Sequence, residues 1–452
     1  MGLGATGLSL ARFLHKRGAK VTVVDSGTAP IGLAQLRLVC PDATFHQLDL
    51  ARDTLPTCDF VALSPGVPHA LFALRESIDA GVPVVGDIEL FAREISPNAT
   101  VVGVTGSNGK TTTTALAGEF ARNVRPDACV AGNIGLPILD ALEETPNSSS
   151  WVLELSSFQL ESTQSLNLAS ATVLNVTDNH LDRYSSFFAY AASKERIFEH
   201  ARSQVLNRAD PWSMSMRRTS VDAITFGVDV PSTAFDFGVR VDGNADFLVC
   251  GDEVVLPCTE LGVSGAHNAQ NALAALALTR PFGVPLAAQQ EVLRNFKGMP
   301  HRHQLLASIN GVRIIDDSKA TTVVATAAAL SGSTHPTWLI AGGDGKGQDF
   351  AALGVMAAKH CKAVHLIGRD AHLMAASLAT HGVAHHIFAS LEDATYAALE
   401  GAVSGDQVLL SPACASWDMF RNYGHRAQVF TDAAAAWAVS RDAFFAPLKG
   451  VR

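Results

Sequence analysis

Val101-Val102-Gly103-Val104-Thr105-Gly106-Ser107-Asn108-Gly109-Lys110-Thr111-Thr112 is the stretch whose reading decides the architecture. Its β-branched, apolar start reads as a buried strand, its glycines as a tight loop, and Lys-Thr-Thr as the opening of a helix. A strict G-x-x-x-x-G-K-[ST] pattern asks for glycine where Val104 stands. The chemistry does not depend on that glycine. Amides of Gly106, Ser107, Asn108 and Gly109 can ring phosphate oxygens, Lys110 can reach the β- and γ-phosphates, and the Thr111 hydroxyl, with Thr112 beside it, can bind magnesium. The segment predicts an α/β domain that uses a nucleoside triphosphate with a divalent metal.

Upstream lies a smaller alternation of strand and helix. Gly2-Leu3-Gly4-Ala5-Thr6-Gly7 reads as a turn, Leu8 to Arg17 as an amphipathic helix and Val21 to Asp25 as a strand; Phe60 to Leu63 and Val82 to Val85 read as further apolar runs. The turn fits G-x-G-x-x-G, and Asp25 follows Gly7 by 18 residues, the spacing of a dinucleotide fingerprint. Glycine backbone at a helix N-terminus suits any diphosphate, so the motif alone does not choose the nucleotide. Such a fingerprint normally follows a strand, and only Met1 precedes Gly2. A strand of about five largely apolar residues is expected upstream of this sequence.

Downstream, Trp151 to Leu155 and Ala171 to Val176 read as buried strands, Ser185 to Arg202 as a helix, and Gln204 to Leu261 as short strands and turns. Ala266 to Leu278 is helical, Lys297-Gly298-Met299-Pro300 reads as a linker, and strands are expected at Val312 to Ile315, Trp338 to Ala341, Val364 to Ile367 and Val408 to Leu410. The expected fold is α/β with three domains, residues 1–88, 89–297 and 298–452: a Rossmann-like nucleotide-binding domain, a central P-loop ATPase domain and a C-terminal Rossmann-like domain. The length of 452 residues, at about 150 per domain, agrees.

Composition excludes other classes. With 48% hydrophobic and 17% charged residues the chain can build cores, so wholesale disorder is excluded, and a net charge of −9 argues against a nucleic-acid-wrapping protein. The stretch from Ala320 to Gly343 lacks formal charge, but Ser, Thr, Gly, His335 and Pro336 interrupt it, so no membrane span is expected. Seven cysteines without a C-x-x-C pair point to reduced thiols and a cytoplasmic address.

Two further residues carry chemistry on local grounds. Glu154 sits in Trp151-Val152-Leu153-Glu154-Leu155, where a buried strand wants an apolar side chain; a divalent cation or a structural salt bridge would compensate it. His180, in Asn175-Val176-Thr177-Asp178-Asn179-His180-Leu181-Asp182-Arg183, follows a strand and reads as a metal ligand or an ordinary loop histidine.

Taken together, GVTGSNGKTT from Gly103, LELSSFQLE from Leu153, NVTDNHLDRY from Asn175, SGAHNAQNALAALAL from Ser264, GMPHR from Gly298, DDSKATT from Asp316, GGDGKGQDF from Gly342 and LLSPACASWDMF from Leu409 resemble the Mur ligases. The resemblance spans nearly the whole chain, in order, and DDSKATT and SPACASWDMF point within the family to a member that adds D-glutamate. It implies ATP-driven attachment of D-glutamate to UDP-N-acetylmuramoyl-L-alanine in cytoplasmic peptidoglycan precursor synthesis. The carboxylate of that substrate would attack the γ-phosphorus to give an acyl phosphate and ADP, and the D-glutamate amine would then displace phosphate. Closure of a mobile third domain would keep water from the acyl phosphate.

The same resemblance assigns residues. Ala5, Thr6, Asp25, Ser26 and Gly66 would meet the uridine and diphosphate, and Asn133 and His180 the same substrate, which displaces the NAD reading of the fingerprint. Lys110, Thr111, Glu154 and His180 match phosphate and Mg2+ positions, and Asn268, Asn271, Arg302 and Asp317 match positions holding adenine, ribose and phosphates; the two asparagines lie one helical turn apart on a shared face. Lys194 matches a lysine carbamylated by CO2 that would ligate a second Mg2+. Thr321, Lys346, Ser416 and Tyr423 would orient D-glutamate, and Lys319 would stand near the γ-phosphate and the incoming amino acid.

Lys110, Glu154, His180, Lys194 and Lys319 form the expected catalytic set. Three departures stand out: Asn179 occupies a common acid position, leaving Asp178 or Asp182 to orient His180; Gly27 replaces an arginine; and Tyr423 replaces a frequent phenylalanine. The expected partners are the two small substrates, with no nucleic acid, no membrane span and no second copy. Rival readings are a sister Mur ligase, folylpolyglutamate synthase, an NAD-dependent oxidoreductase on the first fingerprint, or a non-catalytic ATP-binding switch.

Overall fold

The computed structural model describes residues 1–452 except 31, 178–182, 244, 264, 442, 444–445 and 448–452. Packing divides the chain into two compact units, one formed by residues 1–261 and 268–295, the other by 262–267 and 296–452. The expected boundary after residue 88 falls inside the helix Asp87–Glu94. That helix packs on the helices Ile138–Glu144 and Ser157–Glu161 of the central region. Arg12 also pairs with Asp140 at 2.6 Å and Arg17 with Glu94 at 3.0 Å, so the N-terminal region and the central sheet form one body.

The core of the first unit is a nine-stranded sheet. In spatial order its strands are Glu253–Pro257, Ala245–Cys250, Phe237–Asp242, Asp222–Phe226, Ser203–Asn207, Ser170–Val173, Thr100–Thr105, Ser150–Glu154 and Cys129–Gly132. Strands from Phe237–Asp242 inward pair in parallel, and the two outer ones are antiparallel. Val101, Val102, Val104, Trp151, Val152 and Leu153 are buried, which is why these strands read as near-continuous apolar runs.

The N-terminal region is not the single small sheet that the alternation predicts. Thr22–Asp25 pairs in parallel with Thr44–Gln47, and Val61–Leu63 with Val84–Gly86, as two separate pairs. Met1 and Gly2 lie between them: Gly2 N donates to Val24 O at 2.8 Å, Met1 N to Ala62 O at 2.7 Å, and Ser64 N to Met1 O at 3.0 Å. A cavity of about 350 Å³ separates the rest of the two pairs, lined by Leu10, Leu14, Val21, Val23, Phe60 and Ala62 among others.

The second unit holds a seven-stranded sheet in the order His385–Ile387, Cys361–Ile367, Thr337–Gly342, Gln407–Leu410, Val312–Asp316, Gln304–Ile309 and Ala446–Pro447, antiparallel only over the last three. Its candidate residues follow the carboxyl ends of Val312–Asp316, Thr337–Gly342 and Gln407–Leu410, where ligands bind in open α/β sheets. Among the described residues no helix is long and apolar enough to cross a membrane.

Candidate active site

The strand Thr100–Thr105 delivers the loop into the helix Lys110–Val124 as its sequence predicts. Gly106 and Gly109 take φ of +153° and +82°, and a side chain at Gly109 would collide with the Asn271 side chain, so both glycines are required by geometry. Two lysines converge here. Lys110 Nζ donates to Gly106 O at 2.8 Å and Ser107 O at 3.1 Å, and Lys194 Nζ donates to the same Gly106 O at 3.0 Å.

Lys194 is no solvated helix lysine, since only 2% of it is exposed. The helix Phe187–Glu195 places it one turn beyond Tyr190, whose ring lies 4.7 Å from Nζ. Burial, helped by the Lys110 charge and opposed by Glu154, pushes its pKa well below that of an ordinary lysine, which favours the neutral amine.

Glu154 ends the strand beside the loop, in register with Val104, and is 2% exposed. Asn133 Nδ2 donates to its Oε1 at 2.9 Å, while its buried Oε2 has no hydrogen-bond partner among the described residues. A buried carboxylate oxygen left open next to a P-loop suits a divalent cation, so Glu154 with Thr111 on the adjoining helix start fits Mg2+. His180, Asp178, Asn179 and Asp182 lie outside the described residues.

Ser107 N donates to Asn175 O at 2.9 Å and Asn108 N to Asn175 Oδ1 at 2.8 Å, while Asn175 Nδ2 returns a bond to Asn108 O at 3.1 Å. Two of the four amides expected to ring phosphate are thus engaged in bracing the loop. Asn175 was missed as a site residue, and its signal was an amide side chain closing an apolar strand run. On the helix Ala266–Leu278, Asn268 and Asn271 share the predicted face, and Thr113 Oγ1 donates to Asn271 Oδ1 at 3.4 Å.

In the N-terminal region Ala5 and Thr6 open the helix Ala5–Lys16, which begins three residues earlier than expected. A side chain at Gly7 would strike the Gly2 carbonyl. The Asp25 carboxylate is committed to backbone, accepting from Leu3 N at 2.7 Å and Gly27 N at 2.8 Å. Ser26, Gly66 and Asn133 are exposed.

In the second unit Asp317 is buried, accepts from His303 N at 3.0 Å and Ser411 Oγ at 2.7 Å, and is pushed by burial to a pKa of about 7, with Arg302 pulling it the other way. Lys319 Nζ donates to Tyr423 Oη at 3.3 Å, which accounts for the hydroxyl where phenylalanine is frequent. Lys346 is exposed on a turn with φ of +51°, and the adjoining Asp344 exchanges backbone bonds with Ala415, bringing the Lys346 and Ser416 loops together. Gln348, unremarked in the sequence, donates through Nε2 to Gly345 O at 2.9 Å and Ala413 O at 3.3 Å and reaches Thr321 O at 3.5 Å. Arg426 was missed as well. Fully buried, it ties Ser318 O at 2.8 Å to Cys414 O at 3.1 Å beneath the Lys319 and Ser416 loops.

Comparison with known proteins places this geometry. The Mur ligase MurD-like N-terminal domain matches residues 1–86, the Mur ligase middle domain residues 104–279, and the Mur ligase glutamate ligase domain residues 301–414. The chain belongs to the Mur ligase family. Mur ligases have a three-domain α/β architecture and use ATP with Mg2+. A UDP-N-acetylmuramoylalanine--D-glutamate ligase of Methylobacillus flagellatus is 48% identical over 433 residues, covering 96% of this chain and 95% of the relative. That of Thiobacillus denitrificans is 46% identical, covering 98% and 96%. Among solved structures, the UDP-N-acetylmuramate-alanine ligase of Thermotoga maritima superposes with a TM-score of 0.60 at 18% identity, covering 96% of this chain and 98% of that one. A pseudomurein peptide ligase type C of Methanothermus fervidus gives 0.60, also at 18%, covering 95% and 98%. At that identity these two speak for the Mur ligase fold alone.

Proposed function

We propose that this chain joins D-glutamate to UDP-N-acetylmuramoyl-L-alanine at the expense of ATP, in the cytoplasm and as a monomer, with residues 1–88, 89–297 and 298–452 as the UDP-substrate, ATP and amino-acid domains. The observation that carries the reading is the convergence of Lys110, Lys194 and Glu154 on the P-loop. Gly106, Ser107, Asn108 and Gly109, in a loop braced by Asn175, are assigned to the phosphates together with the helix N-terminus at Lys110–Thr112. Lys110 offsets the repulsion between the substrate carboxylate and the triphosphate. Mg2+, held by Glu154 with Thr111 and His180, would supply charge neutralisation at the β- and γ-phosphates.

Lys194 is read as a carbamate. Its neutral amine can add to CO2, losing a proton to give an anion; beside Glu154 that anion requires cationic partners, which Lys110 and a second Mg2+ would provide. Asn268, Asn271, Arg302 and Asp317 are assigned to the nucleotide, and Ala5, Thr6, Asp25, Ser26, Gly66, Asn133 and His180 to the UDP substrate. Thr321, Lys346, Ser416 and Tyr423 are assigned to D-glutamate, with Lys319, oriented by the Tyr423 hydroxyl, beside the incoming amine. With ATP, Mg2+ and UDP-N-acetylmuramoyl-L-alanine, phosphate release should require D-glutamate. Equal rates with L-alanine or a diamino acid would overturn the assignment.

A further inference from the structure

Arg183 is an arginine no motif reading assigned, and it is placed with unusual care. Only 9% of its side chain is exposed. Nη1 donates to Pro65 O at 2.9 Å, and Nη2 to Val67 O at 3.1 Å and to Glu161 Oε2 at 3.3 Å. The guanidinium lies 4.0 Å above the Phe158 ring, which is itself stacked on Tyr184 at 6.0 Å between centroids. Glu161 and Phe158 belong to the helix Ser157–Glu161, which follows the strand that ends in Glu154. One planar cation therefore joins the Ser64–Val67 turn of the N-terminal region to the element beside the P-loop.

The two carbonyls it holds flank Gly66. The Pro65 carbonyl and the Gly66 N–H belong to one trans peptide and point in opposite directions. Fixing that carbonyl on Arg183 turns the Gly66 N–H away from the guanidinium. Gly66 is exposed, a side chain there would meet nothing, and among the described residues its N–H has no acceptor. The fork geometry matters, because two carbonyls and a carboxylate are met from one plane while the face rests on an aromatic ring. A lysine cannot do all of this.

We infer that Arg183 is a positioning residue for the UDP substrate: it locks the Pro65–Val67 turn so that the Gly66 amide is presented as a preset donor to the substrate's uridine diphosphate. The inference rests on the reading that this turn meets the UDP substrate, and it adds the residue that sets the turn's orientation. Arg183 touches neither the P-loop nor the Lys110 and Lys194 contacts. Its loss should weaken substrate binding and spare turnover.

The test is steady-state kinetics of the full chain carrying R183A and R183K, with UDP-N-acetylmuramoyl-L-alanine and ATP varied separately and thermal unfolding recorded in parallel. R183A should raise the KM for the UDP substrate about tenfold or more, with kcat and the KM for ATP within about twofold, and R183K should recover only part of the loss. An unchanged KM for the UDP substrate overturns the inference. A general loosening, in which both KM values and the unfolding temperature move together, overturns it too. Should R183A not fold, R183K and R183Q decide: KM rising from wild type through R183K to R183Q supports the inference, and equal values refute it. A wild type that shows no saturable dependence on the UDP substrate would instead sink the proposed function, and the inference with it.

Discussion

Two glycine turns feed two helices in this chain, and they are built on opposite plans. At Gly2–Gly7 the acid of the motif, Asp25, is committed to the backbone of Leu3 and Gly27, and the residues assigned to substrate, among them Ala5, Ser26 and Gly66, are exposed. At Gly106–Thr111 the neighbours are buried ionisable groups, with two lysines on one carbonyl and a carboxylate oxygen that has no partner among the described residues. The first plan presents a shaped backbone to a ligand; the second concentrates charge in a water-poor site, where electrostatic stabilisation of a transition state is strongest. A glycine motif announces a turn, and what surrounds the turn decides between binding and chemistry.

That contrast can be broken most sharply at Lys110. K110A should lower D-glutamate-dependent phosphate release by about a hundredfold to a thousandfold while UDP-substrate affinity stays within about twofold; a large loss of UDP-substrate binding in titration calorimetry would erase the distinction between the two turns. Next in size is Lys194. K194A should cost about a hundredfold in kcat, and the wild type stripped of CO2 should slow and recover with bicarbonate. Full activity in K194A would remove the carbamate from the account.

On the binding side, D25A frees Leu3 N and Gly27 N together. The KM for the UDP substrate should rise about tenfold at constant kcat, since a hydrogen bond to a carboxylate is worth about 1.5–3 kcal/mol. A fall in kcat instead would mean that the N-terminal turn shares in the chemistry.

The smallest effect concerns the joint between the two regions. Burial raises Asp87 to a pKa of about 6 from 3.8, although Gln159 and backbone amides pull it down. The folded state therefore holds a proton that the unfolded chain has released, so Asp87 costs stability as pH rises through that window. D87N should flatten the decline in unfolding temperature between about pH 4 and pH 6, and a parallel decline in both proteins would refute the assignment.

What could be read from the sequence follows the range of the interactions. The P-loop, Glu154 and the shared face of Asn268 and Asn271 are local patterns, carried by strand alternation, a misplaced acid and helical spacing. The bracing residues were hidden because their partners are distant: Asn175 meets the loop across 67 residues, Arg183 meets Pro65 across 118, and Arg426 meets Ser318 across 108. Composition does not reveal which loop a long side chain will reach. The helix expected over Ser185 to Arg202 is regular only to Glu195, where Arg196 turns to bond Leu160 O and Thr163 O at 2.8 Å and a tighter turn follows. Three of the four N-terminal strands lie where apolar runs predict them, while the mostly exposed Thr44–Gln47 carries no such run, and the division into two pairs around Met1 and Gly2 is a matter of pairing, which apolar periodicity does not encode.

The central claim is that the substrate carboxylate attacks ATP before the amine attacks the acyl carbon. With heavy oxygen placed in the alanyl carboxylate of UDP-N-acetylmuramoyl-L-alanine, one label should move into the released inorganic phosphate for each D-glutamate joined, since the acyl carbon expels phosphate carrying the former carboxylate oxygen. Mass analysis of that phosphate tests the claim directly. Labelled phosphate at a one-to-one ratio with product is the predicted result, and unlabelled phosphate, with the oxygen that leaves the carboxylate appearing in water instead, would contradict it.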